Sequence, residues 1–249
     1  MPLCRASQLD RLLNCPGELW LPRTDIVSPK TMEARDWGTA CHKWAETGEM
    51  PNFYKFRELL EKKLAKSGTL REDYWWNGDR ELPLAYNVVS GQAMAYAERP
   101  ENQSHLSGDD WKQSFGDEWI TGTLDYGETP FDQVWVDDLK TGRLVAYAEY
   151  ASQQKFYCAV YSLVKHGEVR DSRSTLTHWP RYPLHAKPVR GGDLEVYYEA
   201  GELVGFLKGL REFREEALTH RPEVLQTGEH CRFCSSKLDC PAFINENQV

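Results

Sequence analysis

No stretch of this sequence approaches the roughly 18 consecutive apolar residues of a bilayer-crossing helix, so no helix is expected to span a membrane. The opening Met1-Pro2-Leu3-Cys4-Arg5-Ala6-Ser7 has no apolar signal core, which argues against secretion and for the cytoplasm. There is no low-complexity block and no internal repeat. Nor is there an excess of positive charge: 30 basic residues stand against 38 acidic ones, a formal charge of -8. That excludes a charge-driven nucleic-acid coat. It does not exclude an enzyme with a local basic face and a carboxylate metal site. No helix-turn-helix or zinc-finger reading module is visible, so any nucleic acid is expected to be recognised by its ends or single strands, not by base sequence.

What is present is enough for one large core: 249 residues, 27% charged and 12% aromatic, in the manner of a globular protein. Residues 5–21 carry Leu9, Leu12, Leu13, Cys15 and Leu19 at helical spacing, stopped or kinked by Pro16. Helices are expected from about Thr39, over 53–66 with Lys62, Lys63 and Lys66 on the surface, and over 84–98. Residues 109–115, 118–128, 133–140 and 173–180 read as strands, 146–165 as a helix without Gly or Pro, and 193–218 as a long helix. The order implies an α/β fold with a small mixed sheet flanked by helices.

The sharpest local feature is Gly122-Thr123-Leu124-Asp125 followed by Asp137-Asp138-Leu139-Lys140-Thr141-Gly142. On a strand, Asp138 and Lys140 share a face, and Asp137 takes the other. A turn around Pro130–Gln133 makes the flanking strands antiparallel and sets Asp125 opposite Asp138. Opposed side chains on one face have Cβ atoms about 5 Å apart. Two carboxylates that close repel unless a cation lies between them or one takes a proton. A hard divalent ion, Mg²⁺ or Mn²⁺, suits such oxygen ligands, and Lys140 beside it could orient water or offset charge on phosphorus. The same run of charges is also what a solvated strand edge carries, with Asp137 expected in solvent. His42 and Glu46 share a helix face, as do Gln153, Tyr157 and Tyr161. His42 could be a metal ligand or a structural histidine.

Cysteine numbers seven, an odd count. Cys231, Cys234 and Cys240 cluster near the C-terminus, and Cys15-Pro16 can supply a fourth thiolate, with His230 as a substitute. Four thiolates bind either structural zinc or an iron–sulfur cluster, and spacing alone leaves both open. Joining Cys15 to Cys231 would close nearly the whole chain into a loop, which suggests a staple. Cys41 and Cys158 fall inside helices as core thiols, and Cys4 lies outside the Cys-Pro context.

Gly-Thr-x-x-His-x-x-x-Glu at 38–46, Gly-x-x-Asp at 122–125, Asp-Leu-Lys-Thr-Gly at 138–142 and Gln-x-x-x-Tyr at 153–157 together resemble the PD-(D/E)XK nucleases of the RecB type, from about residue 7 to 241. The resemblance implies a restriction-endonuclease-like core. It implies metal binding by His42, Asp125, Asp138 and the Leu139 carbonyl, with Lys140 catalytic, Gln153 and Tyr157 steadying the lysine and substrate, and Glu46 in an outer role. The cysteine pattern is similar to the iron–sulfur subgroup, which includes AddB-type and CRISPR adaptation-module exonucleases. It implies a [4Fe–4S] cluster on Cys15, Cys231, Cys234 and Cys240. The expected organisation is one nuclease domain over 1–249, with segments 1–30 and 222–249 joined by the cluster, and a core at 31–221 with a helical insertion at about 50–100. The implied activity is an Mg²⁺- or Mn²⁺-dependent exonuclease on DNA ends. It would stand alone or serve a separate helicase or recombination protein. The alternatives are a CRISPR-adaptation trimming nuclease and a non-catalytic DNA-end-binding subunit.

Residues 172–192 contain Arg173, Arg181, Lys187 and Arg190 and no carboxylate, interleaved with His178, Trp179, Tyr182 and His185. Aromatic faces stack on unpaired bases, so Trp179, Arg181, Tyr182, Lys187 and Arg190 are the expected DNA grip. An ordinary proline-containing surface loop is the competing reading.

Overall fold

The computed structural model describes residues 3–21, 29–52, 54–67, 78–95, 115–142, 146–219, 227–228, 231, 234 and 240–246. Within these, the strands are β1 (Cys4–Arg5), β2 (Asp79–Asn87), β3 (Ala93–Ala95), β4 (Trp119–Glu128), β5 (Val134–Lys140), β6 (Ser172–His178) and β7 (Glu195–Tyr198). The helices are α1 (Leu9–Leu12), α2 (Pro29–Thr47), α3 (Tyr54–Ser67), α4 (Ala151–His166), α5 (Ala200–Thr219) and α6 (Pro241–Glu246). The strands form one mixed sheet in the order β3-β2-β4-β5-β6-β7, with β1 parallel to β4. β5 and β6 are also parallel, and α4 makes the crossover that such a pair requires.

Two apolar clusters hold helices to the sheet. One joins α1, α4 and α5 to it through Leu9, Leu12, Phe156, Val160, Leu203 and Leu210, together with Ile120, Leu124, Val134, Val136 and Leu176. The other joins α2 and α3 through Trp37, Cys41, Trp44, Phe56 and Leu60 to Tyr126, Leu139 and Trp179. The α2 contribution, Trp37, Ala40, Cys41, Trp44 and Ala45, follows the i, i+3, i+4, i+7, i+8 stripe of an amphipathic helix. Tyr126 and Leu139 lie on β4 and β5 and Trp179 directly follows β6, so this second cluster rests on the central strands of the sheet.

β4 and β5 form the expected hairpin, with Tyr126 opposite Asp137, Gly127 opposite Val136 and Glu128 opposite Trp135. The ladder ends one step short of Asp125 and Asp138. β2 fills one edge of β4 over its whole length, so β1, paired with Ile120 and Thr121, must take the edge that β5 leaves. The strands part where the two acids face each other. There the Leu139 N–H donates to Asp125 Oδ2 at 2.7 Å instead of to a β4 carbonyl.

Several expectations need correction. The described part of the expected 84–98 helix, residues 84–95, is not helical: β2 and β3 lie there and extend the main sheet, and α3 is the helical part of the 50–100 region among the described residues. Pro83 sits inside β2, where proline normally argues against a strand, and it obscured the alternation of Leu82, Leu84 and Tyr86. α2 begins at Pro29, well before Thr39, with proline at its first position, where the missing N–H costs nothing. Residues 193–218 divide into a 3₁₀ turn, strand β7 and helix α5. Residues 5–21 break into a 3₁₀ turn, α1 and a second 3₁₀ turn over Pro16–Trp20. The expected strand at 109–115 and His230 lie outside the described residues, save Phe115. No described helix is long and apolar enough to cross a membrane.

Candidate metal centre

Three ligand-type side chains converge on the cleft where β4 and β5 part. His42 comes from α2, Asp125 from β4 and Glu81 from β2, and one potential ligand atom of each lies within 4.8 Å of the others. His42 Nδ1 is 3.1 Å from Glu81 Oε1 and 3.4 Å from Asp125 Oδ1. Burial alone would lower the His42 pKa, but Asp125 and then Glu81 raise it well above the ordinary value. The two carboxylates thus favour positive charge at this point, whether a proton on the imidazole or a bound cation. The donor set, one imidazole and two carboxylates, fits a hard divalent ion.

Glu81 is the residue the sequence reading missed. It has φ 44, in the left-handed region that a glutamate seldom adopts. The β2–β4 ladder passes from Arg80 opposite Tyr126 to Leu82 opposite Leu124 around it. Non-glycine residues held in this region concentrate at functional sites. Glu46, one turn beyond His42, is not in the cluster; its carbonyl accepts from Arg80 Nη1 at 3.2 Å, on the residue next to Glu81.

Asp138 lies beside this cluster. Its Oδ2 accepts from Lys140 Nζ at 2.6 Å and from Gln154 Nε2 at 2.7 Å, and its carboxyl is within hydrogen-bond reach of Asp125. Burial pushes its pKa up to about 6, with Lys140 opposing and Asp125 reinforcing. Burial would lower the Lys140 pKa, but Asp138 and then Asp125 raise it, so the amine is a cation here. That cation also lies 4.3 Å from the centre of the Tyr150 ring. Gln153 Nε2 donates to Tyr157 Oη at 3.3 Å, and both residues are buried. Burial, then Asp138 and Asp125, raise the Tyr157 pKa well above its usual value, so the phenol stays neutral.

The glycines of the motifs are there for close approach. A Cβ at Gly122 would come within 2.8 Å of the Tyr157 ring and 2.9 Å of Ala6 Cβ. A Cβ at Gly38 would sit 3.2 Å from Thr141 Oγ1. The first glycine lets α4 settle on β4, and the second lets α2 settle on the end of β5. Each brings a site residue of the helix, Tyr157 or His42, to the strands.

Asp137 was expected in solvent and is fully buried. Thr177 Oγ1 lies 2.8 Å from both of its oxygens, and Arg190 Nη2 lies 3.1 Å from Oδ2. Arg190 therefore neutralises a carboxylate inside the fold. The expected DNA grip is revised in the same way. Trp179 is 0% exposed, packed against Trp44, and cannot stack on a base in this fold. Arg181 pairs with Glu33 at 2.8 Å, and its guanidinium lies 5.7 Å from the Trp37 ring centre. Tyr182 and Lys187 are exposed. Lys63, expected on the surface, is 0% exposed; its Nζ donates to the Ala186 carbonyl at 3.1 Å and lies 5.0 Å from the Trp179 ring centre.

Cys15, Cys231 and Cys240 are buried, and Cys234 is half-buried. The Cys234 N–H donates to the Cys231 carbonyl at 3.3 Å. Just after Cys15, Trp20 Nε1 donates to the Ala217 carbonyl at 2.8 Å, which ties the N-terminal segment to the end of α5. Cys41 and Cys158 are buried core thiols, as expected.

Residues 6–241 match the family described as the PD-(D/E)XK nuclease superfamily. In structure, the chain is similar to a solved protein called SSO0001, at 13% identity and a TM-score of 0.41, over 96% of this chain and 87% of that one. No curated protein matches it in sequence. The chain belongs to the PD-(D/E)XK nuclease superfamily.

Proposed function

We propose that this member of the PD-(D/E)XK superfamily is an Mg²⁺- or Mn²⁺-dependent DNA exonuclease that acts on ends, with single strands as the preferred form. The observation that carries the reading is the meeting of His42, Glu81 and Asp125 within 4.8 Å, beside the Asp138–Lys140 pair at 2.6 Å. His42, Glu81 and Asp125 would hold the ion, together with Asp138 and the Leu139 carbonyl. When bound, such an ion polarises a phosphate oxygen and lowers the pKa of its water.

The protein's own groups do the rest. Lys140, kept charged by its acidic neighbours, offsets negative charge developing on the phosphate. Tyr157, packed against Gly122, and Gln153, hydrogen-bonded to it, would steady the lysine and the substrate strand from the α4 side. Tyr182 and Lys187 remain exposed to meet the strand, one by stacking and one by charge. An intact acid–lysine pair speaks against a merely DNA-binding subunit.

A [4Fe–4S] cluster on Cys15, Cys231, Cys234 and Cys240 belongs to the same proposal. Mostly buried thiols and the Trp20–Ala217 bond between the N-terminal segment and the end of α5 support it. The cluster would staple the two terminal segments. A Cys231→Ser protein should lose brown colour and soluble yield, and zinc without iron on elemental analysis would overturn the assignment.

The deciding experiment is time-resolved digestion of 5′- and 3′-labelled single- and double-stranded DNA, with and without Mn²⁺, using anaerobically purified protein. Stepwise shortening from an end is expected for the wild type and none for Lys140→Ala. Equal rates in the two would defeat the lysine's role, and internal cuts would defeat the exonuclease reading.

A further inference from the structure

We infer that Gln154 is a positioning residue for Asp138, and that it acts through a buried hydrogen-bond chain reaching across the core to β7. The inference rests on the metal-dependent reading above. It concerns a different glutamine from the one in the Gln-x-x-x-Tyr motif.

Gln154 is 0% exposed on α4, in a region otherwise filled by Phe156, Cys158, Val160 and Tyr161. A buried primary amide is costly unless its groups are paired, so an apolar residue would serve a purely packing role better. Both ends of this amide are engaged. Nε2 donates to Asp138 Oδ2 at 2.7 Å, and Oε1 accepts from Ser174 Oγ at 2.7 Å. The amide presents its nitrogen to Asp138, whose Oδ2 also accepts from Lys140, and its oxygen to a hydroxyl donor. Ser174 on β6 supplies that donor.

The chain continues away from the site. Ser174 is in hydrogen-bond contact with Tyr147, and Tyr198 Oη donates to Tyr147 Oη at 3.1 Å. All five residues are buried. Satisfied networks of this kind fix one geometry in a low-dielectric interior.

The geometry selects one carboxylate oxygen. Lys140 and Gln154 both donate to Oδ2, from the strand side and the helix side. The two donors cannot be satisfied together if the carboxyl rotates. Oδ1 takes neither of these two bonds. Gln154 thus adjusts Asp138 without touching substrate.

Gln154→Met keeps the size and removes both hydrogen bonds. In the DNA-free full chain, calorimetric titration should show the Mn²⁺ dissociation constant raised about tenfold or more, in line with the loss of a partner that orients a ligand. In turnover, kcat should fall while KM for DNA stays. Ser174→Ala frees the amide to turn and should give a smaller loss, about threefold. In the Gln154→Met background, Ser174→Ala should add nothing, since the serine acts only through the amide. A Gln154→Met protein with wild-type Mn²⁺ affinity, or strict additivity of the two variants, overturns the inference. If Gln154→Met does not fold, Ser174→Ala alone decides, and an unchanged Mn²⁺ affinity overturns it. A wild type that binds Mn²⁺ and cleaves DNA while these variants equal it defeats only the positioning role. A wild type that does neither defeats the nuclease reading as well.

Discussion

Asp137 and Asp138 are neighbours on β5, both buried, and each is paired with a cation, yet the two faces of the strand use them differently. Asp137 faces Arg190 and Thr177, which occupy its oxygens and leave no negative excess. Asp138 faces Lys140 but also Asp125, with Glu81 and His42 just beyond, so three carboxylates meet two basic groups. The first face is a closed ion pair and the second is a site that lacks a charge. A buried acid is thus no sign of chemistry by itself; the sign is a carboxylate excess that the protein's own cations do not cancel.

The largest expected effect separates the two faces directly. Asp138→Asn should lower metal-dependent cleavage by about 10²–10³-fold, while the melting temperature stays level or rises, because the repulsion from Asp125 is relieved and Lys140 keeps Asp125 as its counter-charge. A melting temperature that falls with the activity would make Asp138 structural, like its neighbour.

Arg190→Leu should do the reverse. Removing one partner of a buried ion pair costs about 3–5 kcal/mol, because a buried charge loses its counter-charge. Denaturant unfolding should show that loss, with kcat per folded molecule retained. A stable but inactive Arg190→Leu protein would move this arginine back to the DNA.

Metal addition should sharpen the contrast further. Mn²⁺ at about 100 times its dissociation constant should stabilise the wild type by about 2.7 kcal/mol. The gain should vanish in Asp125→Ala, and Arg190→Leu should keep it. A full gain in Asp125→Ala would place the ion elsewhere.

The smallest effect concerns the segment that follows β6. Lys187→Ala should leave stability unchanged and weaken DNA binding slightly, reducing the slope of log affinity against log salt by about 1. No change in slope would remove Lys187 from the DNA path.

The hairpin was legible because both of its strands and its turn carry local signals. With a short turn at Pro130–Gln133, the register follows, and the observed pairs Tyr126–Asp137 and Glu128–Trp135 agree with it. The α4 stripe was legible for a similar reason, as an uninterrupted helical run. Glu81 was not, because Pro83 disguises its strand and nothing local marks a glutamate that will take a left-handed conformation. Gln154 was passed over because helical spacing paired Gln153 with Tyr157, and only β5 and β6 reveal which glutamine reaches Asp138. The basic stretch at 172–192 misled because composition counts charges without showing which are spent on Glu33 and Asp137.

What the sequence determined by itself is the set of short-range facts: which residues alternate, which turn joins them, and which acids and lysine share a strand face. These depend on backbone periodicity, which acts between near neighbours. The tertiary structure decided the long-range ones. It brought His42, Glu81 and Asp125 together from a helix and two strands, buried Trp179 and Lys63, and gave Asp137 its arginine. Burial and Coulomb pairing depend on distances through space between residues far apart in the chain. They set whether a charged group is spent on the fold or kept for a ligand.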